Sequence, residues 1–237
     1  MPARKMWCIV PLLLIPHLAL ASYCPPAGKR GIWSREATYL CSAATKEGFT
    51  RNIDVYSPDH RKAVRVTNDH WSVLIGERIV RLSLQDSYVS YYPAELAWSS
   101  DSTMFYITQS DATSEINGFH TEIYRVDEQT VSPLPGLQSA VQGHFRERHK
   151  CDEEDYNIAG LSWAGGSNDI IIIAEIPPDS VCGPRGYFGG YVISTAEARI
   201  IRQYTPQELF QRWGKLFGSR IRENYANLTP AERRKDP

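Results

Sequence analysis

Neither sign of charge dominates this sequence: 26 Lys and Arg stand against 27 Asp and Glu, a formal net charge of −1. No global field draws the chain toward nucleic acid or an acidic membrane, and nucleic acid is not expected as a partner. Long apolar runs are scarce as well. The one of note, Met6–Leu20, has about 15 residues and holds Pro11, Pro16 and His17, short of the ~20 residues that span a bilayer. Also missing are a Gly-x-Ser-x-Gly elbow, a His-Glu-x-x-His pair, a phosphate-cradling glycine loop and a dinucleotide fingerprint. No residue set demands an enzyme, and no cofactor is expected. The 42% hydrophobic and 11% aromatic content is that of one globular domain, not of a disordered or fibrous chain.

The apolar run reads as a secretory signal, because Arg4 and Lys5 precede it and Ala19-Leu20-Ala21 supplies the small residues a signal peptidase accepts. Ser22 and Tyr23 separate that site from Cys24, which argues against lipidation. The expected organisation is a signal peptide over 1–21, a β domain over 22–204, and a C-terminal helix with a basic tail over 205–237. The expected location is secreted or periplasmic. Cleavage leaves Cys24, Cys41, Cys151 and Cys182, an even number in an oxidising compartment, so two disulfides are expected. No pair has the two-residue spacing of a zinc knuckle, and no metal is expected.

Three segments of the middle align as repeats: Ile53–Thr67, Glu95–Gln109 and Gly160–Glu175. Each carries an aromatic residue (Tyr56, Trp98, Trp163), then a tight-turn sequence, then a β-rich run. A second hairpin follows in each, around Gly76-Glu77, before and after Thr130, and around Ala196-Glu197. Four strands per unit is the blade of a β-propeller. The turn Tyr56-Ser57-Pro58-Asp59 and the later pattern Glu122-Ile123-Tyr124-Arg125-Val126-Asp127 resemble the TolB-type, WD-like propeller repeat over residues ~50–204. The expected fold is therefore all-β, a β-propeller of three to four visible four-stranded blades, with a C-terminal amphipathic helix. The resemblance implies an exported scaffold that binds a protein partner. Tyr56, Trp98 and Trp163 are expected as core aromatics between blades. The segment Tyr23–Phe49 is expected to supply strands of a divergent fourth blade; alternatively, two chains form a homodimer with one six-bladed ring.

In such blades the connectors and the loops between second and third strands share one face, and loops longer than the architecture needs tend to carry function. That face collects Asp111 and Glu115, the connector 143–156 with His144 and His149, and the loop 177–190 with Arg185, Tyr187 and Phe188. It also collects Cys151 and Cys182, so these two are expected to pair, leaving Cys24 with Cys41, one of three connectivities. The charged connector is expected as a solvated loop; its sharper reading is a metal or acid–base site. The glycine, arginine and aromatic mixture at Arg185, Tyr187 and Phe188 suits a recognition surface, although glycines also simply let a chain turn.

Thr205-Pro206-Gln207-Glu208 is a capping box, and Leu209, Phe210, Trp213, Leu216 and Phe217 predict an amphipathic helix over 206–217 with Gly218 as its stop. It either packs on the sheets or, being rich in Arg212, Lys215, Arg220 and Arg222, meets a partner or a membrane surface. The expected function is protein binding through the loop face. The rivals are a sugar- or small-ligand-binding module or hydrolase using His144, His149, Asp111, Glu115 or Arg185, and a structural half-propeller completed by dimerisation.

Overall fold

Short alternating segments punctuated by tight turns build three antiparallel sheets in this computed structural model, which describes residues 31–40, 52–67, 70–84, 93–110, 118–149, 156–177, 180 and 183–237. The first sheet joins β2 (Ile53–Tyr56), β3 (Lys62–Val66), β4 (Trp71–Ile75) and β5 (Arg78–Arg81) in chain order. The second joins β6 (Ala94–Trp98), β7 (Met104–Ser110), β8 (Phe119–Val126) and β9 (Val131–Pro133), with β1 (Thr38–Leu40) added beside β6. The third joins β10 (Asn157–Ala164), β11 (Asp169–Glu175), β12 (Phe188–Ser194) and β13 (Arg199–Tyr204). The fold is mostly β, as the sequence predicts. The described part of the N-terminal segment does not make a fourth sheet. It is too short for one, and its apolar residues are divided: Trp33 enters the core between the second and third sheets, Leu40 the core between the first and second.

Two turns use one device. Ser57 Oγ donates to Asp59 Oδ1 at 2.6 Å and accepts the N–H of Lys62 at 3.1 Å; Ser99 Oγ repeats this with Asp101 at 2.7 Å and Met104 at 2.9 Å. The residues that close them, His60 and Ser102, take left-handed φ values of 58° and 62°. Neighbouring turns are strung together, because Ser102 Oγ accepts the N–H of Asp59 at 3.0 Å and Ser167 Oγ donates to Asp101 Oδ2 at 2.6 Å. Behind them each sheet is tied to the one before it by the same bond. Trp98 Nε1 donates to the carbonyl of Val55 and Trp163 Nε1 to that of Ala97, both at 3.0 Å. Tyr56 holds the equivalent position in the first sheet, with no earlier sheet to meet among the described residues, and is 56% exposed. The expectation that it is a core aromatic is corrected.

Between the first two sheets lie Val64, Val66, Trp71 and Val73 against Leu96, Phe105, Ile107 and Tyr124. Between the second and third, the Tyr106 ring covers Gly160 so closely that a Cβ there would stand 2.5 Å from it. The Gly160 N–H donates to the hydroxyls of both Thr108 and Thr121, at 2.9 and 3.1 Å. The part of the charged connector up to His149 is not a loop. It belongs to α1 (Leu137–His149), whose buried face repeats every four residues as Leu137, Val141 and Phe145 and packs on β8, β10, β11 and β13.

The capping box opens α2 (Pro206–Trp213) as predicted, with Leu209 buried against Gly190 of β12. The helix is shorter than expected. It ends at Gly214, after which the chain turns so that Phe217 bridges to Ser34, and Gly218 begins α3 (Ser219–Asn227) instead of merely stopping α2. Gly218 is needed for the close approach, since a Cβ there would lie 2.3 Å from the carbonyl carbon of Ile32. A short α4 (Pro230–Arg233) follows. Gly190 and Tyr191 point to opposite faces of β12, and Tyr191 faces α1, so α2 covers the face of the third sheet turned away from the second. Among the described residues no helix is long and apolar enough to cross a membrane.

The two ends of the described chain are clasped together. Residues 31–35 accept the N–H groups of Gly218 (on Trp33), Ser219 (on Gly31) and Arg220 (on Ile32) at 2.8–3.3 Å, and the Arg35 N–H donates to Leu216 at 2.8 Å. From the other side the buried carboxylate of Glu95 accepts the N–H groups of Ile32, Trp33 and Ser34, the last two at 2.9 Å. Burial pushes the Glu95 carboxyl up to about 7 even against those three donors. A second buried carboxylate, Glu175, accepts from Arg220 Nε at 2.9 Å and Asn157 Nδ2 at 2.7 Å, and from the Asn224 amide. The Arg220 guanidinium lies 5.1 Å from the Trp33 ring, which joins this pair to the clasp.

Candidate functional site

The loop end of the sheets holds less than the sequence suggests. Asp111 and Glu115 lie outside the described residues, as do Cys24, Cys41, Cys151 and Cys182. His144 and His149 both stand on α1 but face different neighbours. His144 has Gln203 Nε2 at 3.0 Å and the Tyr191 hydroxyl at 3.4 Å; the His149 ring packs 4.3 Å from Phe145 and 5.2 Å from Tyr187. Burial, helped by the charges of Lys235 and Arg148, pushes His149 down to about 4, so it is neutral at physiological pH and has no proton to give there. Among the described residues no three His, Cys, Asp or Glu side chains gather as metal ligands would.

Tyr187 and Phe188 are fully buried, which corrects the expectation that they present a recognition surface. The Tyr187 hydroxyl donates to the carbonyl of Lys235 at 2.8 Å, and Phe188 opens β12 edge-on to Phe217. Gly186, at φ 71°, turns the chain down into this core, and a Cβ there would meet Asn224 Oδ1 at 2.8 Å. Arg185 alone of the three stays exposed.

The opposite end, where the β2–β3, β6–β7 and β10–β11 turns converge, carries a cleft of about 500 Å³. Tyr56, Trp98 and Trp163 line it together with Glu36, His60 and Ser162. Each comes from the strand-and-turn geometry already described: Tyr56 ends β2, Trp98 ends β6, Trp163 is the last residue but one of β10, His60 closes the first turn, and Ser162 lies on β10. Glu36 arrives from the N-terminal segment just before β1 and accepts a hydrogen bond from Ser162 Oγ at 2.7 Å. Both indole N–H groups are committed to backbone carbonyls, so Trp98 and Trp163 offer the cleft apolar ring surface. On the flanking turns, burial of Asp101 is outweighed by hydrogen bonds from Ser167, Ser99 and Thr103 that hold its carboxyl at about 2, and the Ser57 hydroxyl and the Arg61 N–H hold Asp59 below the usual carboxylate range. Both are ionised at neutral pH.

Sequence reasoning placed the aromatics of this cleft in the core and did not single out Glu36, His60 or Ser162. One signal was readable. If each repeat aromatic leans on the sheet before it, the first, with no earlier sheet among the described residues, faces outward. No family model matches the chain, and no curated protein does.

Proposed function

We propose that this chain is an exported binding scaffold, its three sheets serving as blades of a TolB-like propeller arc and its recognition site being the cleft at the turn end. The observation that carries this reading is Tyr56: the position used internally by Trp98 and Trp163 is turned out to solvent on the rim of an aromatic cleft. A binding role fits better than a catalytic one, because the His149 ring is packed against Phe145 and Tyr187 and His144 rests between Tyr191 and Gln203, so the two imidazoles do not converge on one reacting point. The partner is a protein, which an open cleft with an exposed aromatic rim suits. The scaffold is a single chain; a six-sheeted ring of two chains would have to displace α2 from the outer face of the third sheet.

Affinity capture from the native envelope or medium tests the site. Tyr56→Ala should lose the partner while Arg185→Ala retains it; loss with Arg185→Ala and retention with Tyr56→Ala would return recognition to the loop end. Export and oxidation belong to the same proposal. The 5.2 Å contact between the His149 and Tyr187 rings brings the chain just before Cys151 toward the chain just after Cys182, which supports pairing of these two. Peptide mapping of the exported protein should begin at Ser22 and recover Cys151 linked to Cys182; a Cys24–Cys151 or Cys41–Cys151 peptide would refute the pairing.

A further inference from the structure

We infer that the turn-end cleft takes the basic side chain of an arginine or lysine presented by the partner protein; the inference rests on the binding reading above and names the group that is bound. Glu36 is the carboxylate among the described lining residues, and one of its oxygens accepts a hydrogen bond from Ser162 Oγ at 2.7 Å. Among the described residues no lysine or arginine lines the cleft. Lys62, on the strand leaving the first turn, is turned elsewhere, with its ammonium on the carbonyl oxygens of Ser102 at 2.8 Å and Val126 at 3.3 Å. The carboxylates of Asp59 and Asp101 on the neighbouring turns add negative potential at the rim.

The Ser57 hydroxyl is spent on Asp59, the Ser162 hydroxyl on Glu36, and both indole N–H groups on carbonyls. The cleft therefore sets ring surface beside a carboxylate, with Thr38, Ser100 and His60 as further polar side chains of the lining. That combination favours a cation carried on an aliphatic stem: the stem packs on Trp98 and Trp163, the charged head meets Glu36 and the face of Tyr56. A volume of about 500 Å³ admits the side chain with part of the segment that carries it.

The test uses the mature, oxidised chain labelled at its tryptophan indoles, with the ¹⁵N–¹H signals of Trp98 and Trp163 as local reporters. The probes are acetyl-Gly-Arg-Gly-amide, its lysine and norleucine counterparts, tetramethylammonium and a neutral disaccharide. The arginine and lysine peptides should move both signals saturably, the norleucine peptide should bind about tenfold more weakly, and Glu36→Gln should remove that preference while leaving the unfolding midpoint unchanged, Glu36 being exposed. Equal binding of the norleucine peptide, or an unchanged arginine affinity in Glu36→Gln, overturns the cationic ligand. Tetramethylammonium or the disaccharide binding in place of the peptides overturns it too, but leaves the cleft as the binding site. If no probe moves the indole signals, the inference falls, and the binding reading falls with it only if Tyr56→Ala also retains the captured partner.

Discussion

Replacing Glu95 with alanine is expected to lower the unfolding free energy by at least about 3 kcal/mol in urea titrations, since it orphans three N–H groups of a buried strap and each unsatisfied buried donor costs ~1–3 kcal/mol. Glu95 also gives the clasp a pH signature. Its carboxyl sits near 7 in the folded chain against an ordinary 4.5, so between those values the native state keeps a proton that the unfolded state has lost, and stability falls as pH rises, by about 3 kcal/mol in all. His149 does the reverse. Its folded value of about 4 lies below its ordinary 6.5, so across that window the unfolded state binds the extra proton and stability rises with pH. The two slopes oppose each other. The wild-type thermal midpoint should therefore change little from pH 5 to 6.5 and decline from 6.5 to 7.5; Glu95→Gln should instead climb over the first interval, and His149→Gln should fall throughout. A Glu95→Gln profile that still declines above pH 6.5 would show that another group carries the signature.

Arg220→Met is expected to cost about 3–5 kcal/mol, because it leaves the Glu175 carboxylate charged and fully buried with only amide partners. The attraction itself is not the main contribution. Taking both ions out of water is expensive, so removing both charges at once, as Arg220→Met with Glu175→Gln, should recover much of the loss, and the double-mutant cycle should be strongly non-additive. Additive effects, or a single-substitution loss below about 1 kcal/mol, would mean that water reaches Glu175 and the pair is not a buried one. Because Arg220 also lies over Trp33, its removal should loosen the strap as well, seen as faster hydrogen exchange at residues 32–34.

The hairpins were legible because local chemistry specifies them. A serine and an aspartate two residues on, with a following residue that accepts positive φ, force the turns after Tyr56 and Trp98 whatever surrounds them, and alternation then places the strands. The helix α1 goes unread in the sequence although Leu137, Val141 and Phe145 mark one face, because the charges of the connector read as a solvated loop. What could not be read was which surfaces meet. Tyr187 and Phe188 look like recognition residues beside glycines, and become core only because α1, Phe217 and the chain around Lys235 close over them. Glu36, far from Trp163 in sequence, joins the cleft only through the position of the strap. The strap itself has almost no local signal, being held by one buried carboxylate and by backbone bonds to residues almost the whole chain away.

That separation sets an order of events. Each sheet forms mostly from adjoining segments, so its contacts close short loops and can form early, whereas the clasp joins the first described residues to Leu216–Arg220 and closes a far longer loop. Until it closes, the strap has only Glu95 to hold it, on one side, and lacks its backbone bonds to residues 216–220. Residues 216–220 therefore act as a latch on sheets already formed: they complete the fold last, and the strap is fixed from both sides only when they arrive.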